Sequence, residues 1–438
     1  MLGFVQSLFA PKANPIGVDF GTDALRLAQV HVDENGEHRL IAAASADVPG
    51  HVRADPAGRI VFFVEAVREL LVEGKFRGRE AILALPAASM FVQHLKLPRM
   101  SEEETKKALP WEARGKLPID PTHALLRHII AGEIYQDQEP KNEVICLAAR
   151  KDTVNAFLAA AARAKLDVVG MAVEPTAILD CFNHVYRRKS DLEATTCYID
   201  IGAASSRAVI ARYGRVLFAR AIPVGGDHFT RAVAEHLKIP LDQARLLRCQ
   251  AAARSEQAPA APTTPTAVEP GAAALEENSF ALLGAAVARG STPATAIAAK
   301  PASQSPDLDA ACAGPLRKLV EELTWCRRYH EATFPNAPID RLIFIGGEAR
   351  QKTLCQTVAR ELGMAAQLGD PMVRMARTTE VAPESGLDRR QPQPNWAVAI
   401  GLSMGGKGGV VPQPQQQSSA APVSAGNLVT GAAAKESA

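Results

Sequence analysis

Two segments of the chain repeat one pattern of apolar, acidic, small and basic residues. They read IGVDFGTDALRLAQV at 16–30 and IDIGAASSRAVIAR at 199–212. The copies share an aspartate, a glycine two positions later and an arginine seven positions after the aspartate: Asp19, Gly21 and Arg26 in the first, and Asp200, Gly202 and Arg207 in the second. The aspartates are 181 positions apart, so the spacing predicts duplication of a whole structural half.

The residue types of this repeat suit phosphate binding. A glycine after the aspartate lets the backbone turn tightly and approach a ligand closely. The free backbone N–H groups of such a turn form a concave anion site. Thr22 in one copy and Ser205 in the other add hydroxyl donors. Two such turns facing each other are predicted to hold a polyphosphate, with Asp19 and Asp200 binding Mg²⁺ through water.

Two further glycine pairs follow stretches that are predicted to be strands. One comes after the apolar run RLIFIG at 341–346, and the other has Asp227 as the expected N-cap of the next helix. Paired glycines allow a flat ligand to lie against the backbone, and a helix N-terminus favours phosphate. The residues of these turns that we expect to contact a nucleotide are Gly225, Gly226, Gly346, Gly347 and Glu348.

Composition excludes several other classes of function. Lys and Arg number 49 against 47 Asp and Glu, so the balanced charge predicts no nucleic-acid partner. Seven scattered cysteines without a CxxC pair argue against a disulfide framework and a zinc site. No apolar run approaches the roughly 20 residues of a membrane-spanning helix, so no transmembrane segment is predicted. The sequence contains no HExxH, GxxxxGK or GxSxG motif.

Composition shifts divide the chain into folded and unfolded parts. Residues 251–306 are rich in Ala, Pro, Thr and Ser and are predicted to be a disordered insertion, and residues 405–438 a disordered tail. The folded regions are predicted to be a first lobe at 15–190 and a second lobe at 191–250 and 307–404, preceded by an N-terminal extension at 1–14.

Periodicity within the folded regions predicts triplets of strands alternating with helices, which is an α/β class. Apolar residues indicate a helix at about 57–73. Ser101 and Glu104 form a capping-box pattern at the start of another helix, which Pro110 is expected to kink or interrupt. Further helices are predicted at 151–166, 175–188 and 241–250, and a last one near 395–404.

At this point the sequence resembles the actin-like ATPase superfamily, through Asp19-Phe-Gly-Thr, Asp200-Ile-Gly-Ala and Gly346-Gly347. The resemblance implies a two-lobed, ribonuclease H-like α/β fold with a duplicated core and a subdomain inserted in the first lobe. It also implies that the two aspartate turns grip the phosphates of ATP with Mg²⁺, and that the glycine pair receives the adenosine. Arg26 stands where relatives usually have Lys.

Within that superfamily the chain is most similar to the PilM-like family of type IV pilus assembly proteins. The similarity is carried by GVDFGTDALRLAQV, EETKKALPWEARGKLPID, AARKDTVNAFLAAAARAKLDVVGMAVEPTAILDCF and EELTWCRRYHEATFP. It implies a cytoplasmic ATP-binding scaffold, peripheral at the inner face of the inner membrane. It also implies that a groove beside the inserted subdomain, at about 87–167, captures the cytoplasmic N-terminal peptide of a PilN-like membrane protein.

The protein is expected to be a slow ATPase at most. By analogy Glu174, in the AVEP segment, orients an attacking water, and the alternative is a helix-start carboxylate favoured by the helix dipole. Two other functions on the same fold stay open. One is a small-molecule kinase, for which no substrate base can be nominated, and the other is a filament-forming ATPase, against which the polar tail weighs. The sequence does not distinguish a component of a type IV pilus from a component of a related secretion system.

Overall fold

The computed structural model describes residues 13–257, 306–376, 387–388 and 390–405. Within these ranges there are thirteen strands. They are β1 (Ile16–Phe20), β2 (Ala24–Val32), β3 (His38–Asp47), β4 (Glu80–Ala84), β5 (Met90–Pro98), β6 (Ala124–Gln136), β7 (Glu139–Arg150), β8 (Asp167–Ala172), β9 (Thr196–Ile201), β10 (Ser206–Arg212), β11 (Arg215–Ile222), β12 (Arg341–Ile345) and β13 (Ala366–Leu368).

The described residues also form ten α-helices, with short 3₁₀ turns between some of them. The helices are α1 (Pro56–Glu73), α2 (Glu102–Glu112), α3 (Lys151–Arg163), α4 (Glu174–Asn183), α5 (Lys189–Glu193), α6 (Gly226–Leu237), α7 (Leu241–Gln257), α8 (Pro306–Thr333), α9 (Lys352–Leu362) and α10 (Ala397–Met404).

Two five-stranded sheets have the same topology, one built from each copy of the sequence repeat. Their strand orders are β3-β2-β1-β4-β8 and β11-β10-β9-β12-β13. In both, three antiparallel strands are followed by two strands that run parallel to the central one. The central strands β1 and β9 are buried along their whole length, as strands covered on both faces are.

Helices cover the two faces of the first sheet. On one face α1 and α3 bury a cluster in which Phe20 meets Phe63 edge-on, with ring centroids 4.6 Å apart, and Phe157 at 5.1 Å. Asp55 caps the start of α1 by accepting from the backbone N–H groups of Ala57 and Gly58. This packing fixes the end of β1, from which Asp19 extends.

The last described helix, α10, packs on the other face of the first sheet. The prediction assigned residues 395–404 to the second lobe, and the structure instead places α10 against β1 and α4. Close approach requires glycine on both sides, because a Cβ on Gly17 would lie 2.0 Å from the Ala399 carbonyl and one on Gly401 1.8 Å from the Ala177 carbonyl. The Ser403 hydroxyl donates to the Pro15 carbonyl at 2.8 Å.

A three-stranded antiparallel sheet, ordered β5-β7-β6, lies between β4 and β8 in sequence and is covered on one face by α2. The Ser101–Glu104 capping box is formed. Pro110 does not interrupt α2, which continues two residues further to Glu112, and the alternative of a kink at Pro110 stays a prediction. This sheet falls within the predicted subdomain at about 87–167, whose boundaries stay predictions, as do those of the two lobes.

A polar network around one buried carboxylate joins this three-stranded sheet to the second lobe. The Glu143 carboxylate on β7 is fully buried, and its Oε1 lies 2.8 Å from His94 Nδ1 and 2.7 Å from the Tyr329 hydroxyl on α8. The other ring nitrogen of His94 lies 3.0 Å from the Ala219 carbonyl on β11. A proton shared between Nδ1 and Oε1, with Nε2–H donating to Ala219, satisfies both ring nitrogens.

Several element boundaries differ from the predictions. Gly225, not Asp227, is the N-cap of α6. The predicted helix at 175–188 ends at Asn183, and α5 follows separately. The helix α7 continues to Gln257, so the first seven residues of the predicted insertion at 251–306 are helical. Residues 258–305, residues 1–12 of the predicted extension and residues 406–438 of the predicted tail lie outside the described residues.

Candidate functional site

The two copies of the sequence repeat meet at one cleft. The penultimate residue of each central strand is an aspartate that is paired, across an antiparallel ladder, with an arginine. In the first sheet Asp19 is opposite Arg26, and in the second Asp200 is opposite Arg207. The repeat seen in the sequence therefore becomes the same local arrangement in both sheets.

The cleft encloses about 520 Å³ of space, its open mouth included, which is within the range of small-molecule sites. The predicted site residues that line it are Asp19, Gly21, Thr22, Arg26, Glu174, Asp200, Gly202, Ser205, Gly346 and Gly347. The lining residues that were not predicted include Asp23, Arg207 and Asn395. Residues from both sequence repeats and from the turn after β12 thus share one cavity.

The second turn is tightly held by backbone hydrogen bonds. The Gly202 N–H donates to the Ser205 carbonyl at 3.1 Å, which closes the turn. The Gly202 carbonyl accepts from the Gly226 N–H at 2.9 Å, and the Ala203 carbonyl accepts from the Asp227 N–H at 2.8 Å. The start of α6 is therefore fixed directly behind this turn, on the side away from the cleft.

The turn after β12 depends on a left-handed backbone at Gly346, where φ is +90°. A Cβ at this position would lie 2.3 Å from Asp200 Oδ1 and 2.6 Å from the Ile201 carbonyl. The Gly346 N–H donates to the Pro394 carbonyl at 3.0 Å. Glycine is therefore required here for both its conformation and its lack of a side chain, and Gly347 follows at the cleft wall.

Three predicted contact residues lie behind the cleft rather than in its lining: Gly225, Gly226 and Glu348. The Glu348 carboxylate forms an ion pair with the buried guanidinium of Arg248 on α7. Arg248 also donates to the Gly226 carbonyl at 2.8 Å and to the Thr230 hydroxyl at 2.9 Å. This link holds the two glycine turns together, and sequence reasoning missed it because Arg248 follows no motif.

Arg207 forms the central ion cluster of the cleft. Its guanidinium pairs with Asp200, at 2.5 Å, and with Glu174 at the start of α4. Burial opposes the charge on Arg207, but Glu174, Asp200 and Asp19 outweigh it and raise the pKa of the guanidinium above its ordinary value. Arg207 therefore stays charged, and it connects a first-lobe helix to a second-lobe strand.

Two carboxyl groups of the cleft, those of Asp19 and Glu174, have raised pKa values because they are buried. Burial raises the pKa of Asp19 to about 6, although the guanidiniums of Arg26 and Arg207 oppose the shift. Burial raises the pKa of Glu174 to about 8 against the opposing charge of Arg207. A carboxyl with such a pKa can exchange a proton near neutral pH, so the chemistry of Glu174 is compatible with its predicted role, which stays a prediction.

The donor set does not favour direct binding of Mg²⁺ by Asp200, and the site predicted at Asp19 and Asp200 through water stays a prediction. Asp200 has one oxygen on Arg207 and the other beside the Gly346 backbone. Glu174 has an oxygen on the same guanidinium. Within the described ranges, no group of three or more His, Cys, Asp or Glu residues is placed to bind a metal ion.

A second, apolar pocket shares a wall with this cleft. It lies between the three-stranded sheet and β10 and β11 of the second lobe. Its lining residues are Ala87, Met90, Val92, Leu147, Val173, Glu174, Pro175, Arg207, Val209, Ala219, Arg220 and Ala221. Glu174 and Arg207 therefore face both the polar cleft and the apolar pocket.

Comparison with known proteins identifies the fold. A solved structure described as the PilM-PilN type IV pilus biogenesis complex matches with a TM-score of 0.66 at 22% identity, over 91% of this chain and 99% of that one. The ethanolamine utilization protein EutJ from Carboxydothermus hydrogenoformans matches with a TM-score of 0.47 at 13% identity, over 90% of each chain. The match to the PilM-PilN structure, with the higher TM-score, confirms the predicted two-lobed, actin-like α/β fold.

Two family profiles match the sequence. The profile of the cell division protein FtsA matches residues 197–401. The profile of the type IV pilus assembly protein PilM matches residues 17–255, which is more than half of the chain. The matched range contains both aspartate turns, the three-stranded sheet and Glu174. The chain therefore belongs to the PilM family of type IV pilus assembly proteins.

Proposed function

We propose that this protein is an ATP-binding cytoplasmic scaffold of a type IV pilus, or related secretion, inner-membrane assembly complex. The observation that carries the proposal is the meeting of two equivalent strand-turn-strand units and a paired-glycine turn at one cleft. On this proposal the protein is peripheral at the inner face of the inner membrane, where its partner holds it. Within the described ranges, no helix is long and apolar enough to span a bilayer.

The cleft has separate places for the two ends of a nucleotide. Backbone N–H groups of the turns at 21–23 and 203–205 can bind phosphate oxygens, with the hydroxyls of Thr22 and Ser205 beside them. The wall at Gly346 and Gly347 carries no side chain and can receive a flat ring. In this arrangement Gly225, Gly226 and Glu348 support the site from behind.

Binding is tested by inserting a side chain into the cleft without disturbing the fold. Gly347 is suited to this, because the nearest atom to a Cβ at this position is Asp23 Oδ2 at 3.6 Å. We expect Gly347→Val to weaken binding of a fluorescent ATP analogue by at least about tenfold, which corresponds to ~1.4 kcal/mol. The matched control is Gly314→Val on α8, where no atom lies within 4 Å of the added Cβ. Equal affinities of the two variants would contradict the proposal.

The proposed partner is the N-terminal cytoplasmic peptide of a PilN-like inner-membrane protein. Its proposed docking site is the three-stranded sheet together with the apolar pocket beside it. That pocket is lined by β5 and β7 on one side and β11 on the other, with few polar side chains. Because Glu174 and Arg207 face both cavities, a ligand in the cleft contacts a wall of the peptide pocket.

Peptide docking is tested by filling the pocket from its rim. Ala221 lies on the rim and is exposed, so Ala221→Trp places a large ring at the pocket with little disturbance of the core. We expect this variant to weaken binding of a labelled PilN-like N-terminal peptide, measured by fluorescence anisotropy, by about tenfold or more. Ala156→Trp, at an exposed position on α3, is the matched control. Unchanged affinity in Ala221→Trp would exclude this pocket.

A further inference from the structure

The guanidinium of Arg207 is placed where two carboxylates from different lobes converge. Asp200 is the penultimate residue of the central strand of the second sheet, and Glu174 begins the helix that follows the first sheet. The side chains of Arg207, Glu174 and Asp200 are 16%, 8% and 7% exposed. Few water molecules can therefore screen the cluster, and a charge added or removed here has a large effect on its neighbours.

The equivalent arginine of the first repeat has a different environment. Arg26 is opposite Asp19 in the ladder, as Arg207 is opposite Asp200. Among the described residues, however, no carboxylate lies within ion-pair distance of Arg26. The two repeats thus differ in ion pairing at a position where their sequences are the same.

One oxygen of each carboxylate near Arg207 is already engaged by the guanidinium. Asp200 Oδ2 pairs with the guanidinium, and Oδ1 lies against the backbone of Gly346. Glu174 Oε2 pairs with the same guanidinium. Mg²⁺ requires oxygen ligands in a near-octahedral shell, directly or through its waters. The position between these two carboxylates is filled by a cation that belongs to the chain.

We propose that Arg207 is a built-in counter-ion that takes the cation position of the cleft, so that Asp200 and Glu174 bind no divalent metal while the guanidinium is in place. Arginine suits this role because it is always charged and its planar fork can bind two carboxylates at once. The inference concerns the chain's own carboxylates and does not depend on whether a nucleotide binds.

The test measures metal binding directly, with Mn²⁺ and no nucleotide, by the loss of the free-ion electron paramagnetic resonance signal. The full chain should show no strong site. Arg207→Ala releases both carboxyl groups and should bind Mn²⁺ at least about tenfold more tightly. A neighbouring unit charge typically changes the proton affinity of a carboxyl group by one to three powers of ten, and a metal cation at the same place experiences the same repulsion from the guanidinium. The matched control is Arg26→Ala, which removes the same charge from the equivalent strand but releases no carboxylate, and it should behave as wild type.

Two results would overturn the proposal. One is wild-type protein that binds Mn²⁺ as tightly as Arg207→Ala does, and the other is an equal gain in Arg26→Ala, which would show a general charge effect. A measurement on wild type avoids the risk that Arg207→Ala fails to fold. A bound metal raises the unfolding temperature as its concentration rises. The proposal predicts no rise in Mg²⁺, whereas a rise that Asp200→Asn abolishes would refute it.

Discussion

The network of His94, Glu143 and Tyr329 gives a quantitative prediction about how the three-stranded sheet is held to the second lobe. Glu143 is fully buried, and Oε2 has no hydrogen-bond partner among the described residues. Its Oε1 therefore depends on His94 and Tyr329. Burial and the adjoining carboxylate raise the pKa of Tyr329 well above its ordinary value, so the hydroxyl keeps its proton and donates.

The variant Tyr329→Phe removes that hydroxyl and little else. A hydrogen bond to a charged group contributes about 1.5–3 kcal/mol, so we expect the free energy of unfolding to fall by about 2 kcal/mol. The assay is urea unfolding, with hydrogen exchange of the amides in β5 and β11 to locate the loss. The control is Tyr135→Phe, whose ring is 77% exposed and whose change should be within about 0.5 kcal/mol.

A second experiment measures the interaction between Tyr329 and Glu143 apart from their contacts with other residues. In a double-mutant cycle, Tyr329→Phe and Glu143→Gln should be coupled by about 0.5–3 kcal/mol, because the two side chains are in direct contact. Two outcomes would refute the reasoning. Tyr329→Phe that is as stable as Tyr135→Phe would show that the hydroxyl does not stabilise the carboxylate, and strictly additive changes would show that the two groups act separately.

Three further predictions concern other parts of the fold. Gly401→Ala should cost about 3 kcal/mol in urea unfolding, since its Cβ meets the Ala177 carbonyl, whereas Gly314→Ala should not destabilise. Arg248→Met should cost about 3 kcal/mol by leaving the largely buried Glu348 carboxylate without its counter-ion, and thermal unfolding that matches wild type would contradict this. Burial lowers the pKa of His184 to about 4 from 6.5, so the unfolded chain takes up its proton first as pH falls. Between pH 6.5 and 4, the stability difference should therefore shift by up to about 3 kcal/mol in favour of His184→Gln.

The sequence predicted the parts of the site that are local in the chain. Each aspartate turn follows a buried strand within a few residues, so its chemistry could be inferred without knowing the fold. The duplication was visible because both copies keep the same spacing, and the two sheets confirm it. The turn after β12 could also be predicted locally, because its paired glycines directly follow an apolar run.

What the sequence did not predict depends on contacts between distant segments. The pairing of Arg207 with Glu174 exists only because the start of α4 meets β10 across the lobes. Tyr329 and Glu143 are 186 positions apart, and no spacing pattern in the sequence relates them. The alignment of Arg207 with Arg26 correctly predicted that each arginine lies opposite the aspartate of its own repeat. It could not predict that Glu174 also contacts Arg207, because the spacing within a repeat specifies which strands pair but not which distant segment packs on them.

The packing of α10 on β1 has a consequence for the order in which the lobes are completed during synthesis. The Ser403 hydroxyl and the Pro15 carbonyl that it contacts are 388 positions apart. At about 5–20 residues per second, a ribosome needs on the order of 20–80 s to cover that distance. Throughout this time the nascent first sheet lacks the helix that covers Gly17, and its apolar face is open to other chains. The first lobe to emerge is therefore among the last parts to be finished, and its early exposure is a point at which a chaperone can act.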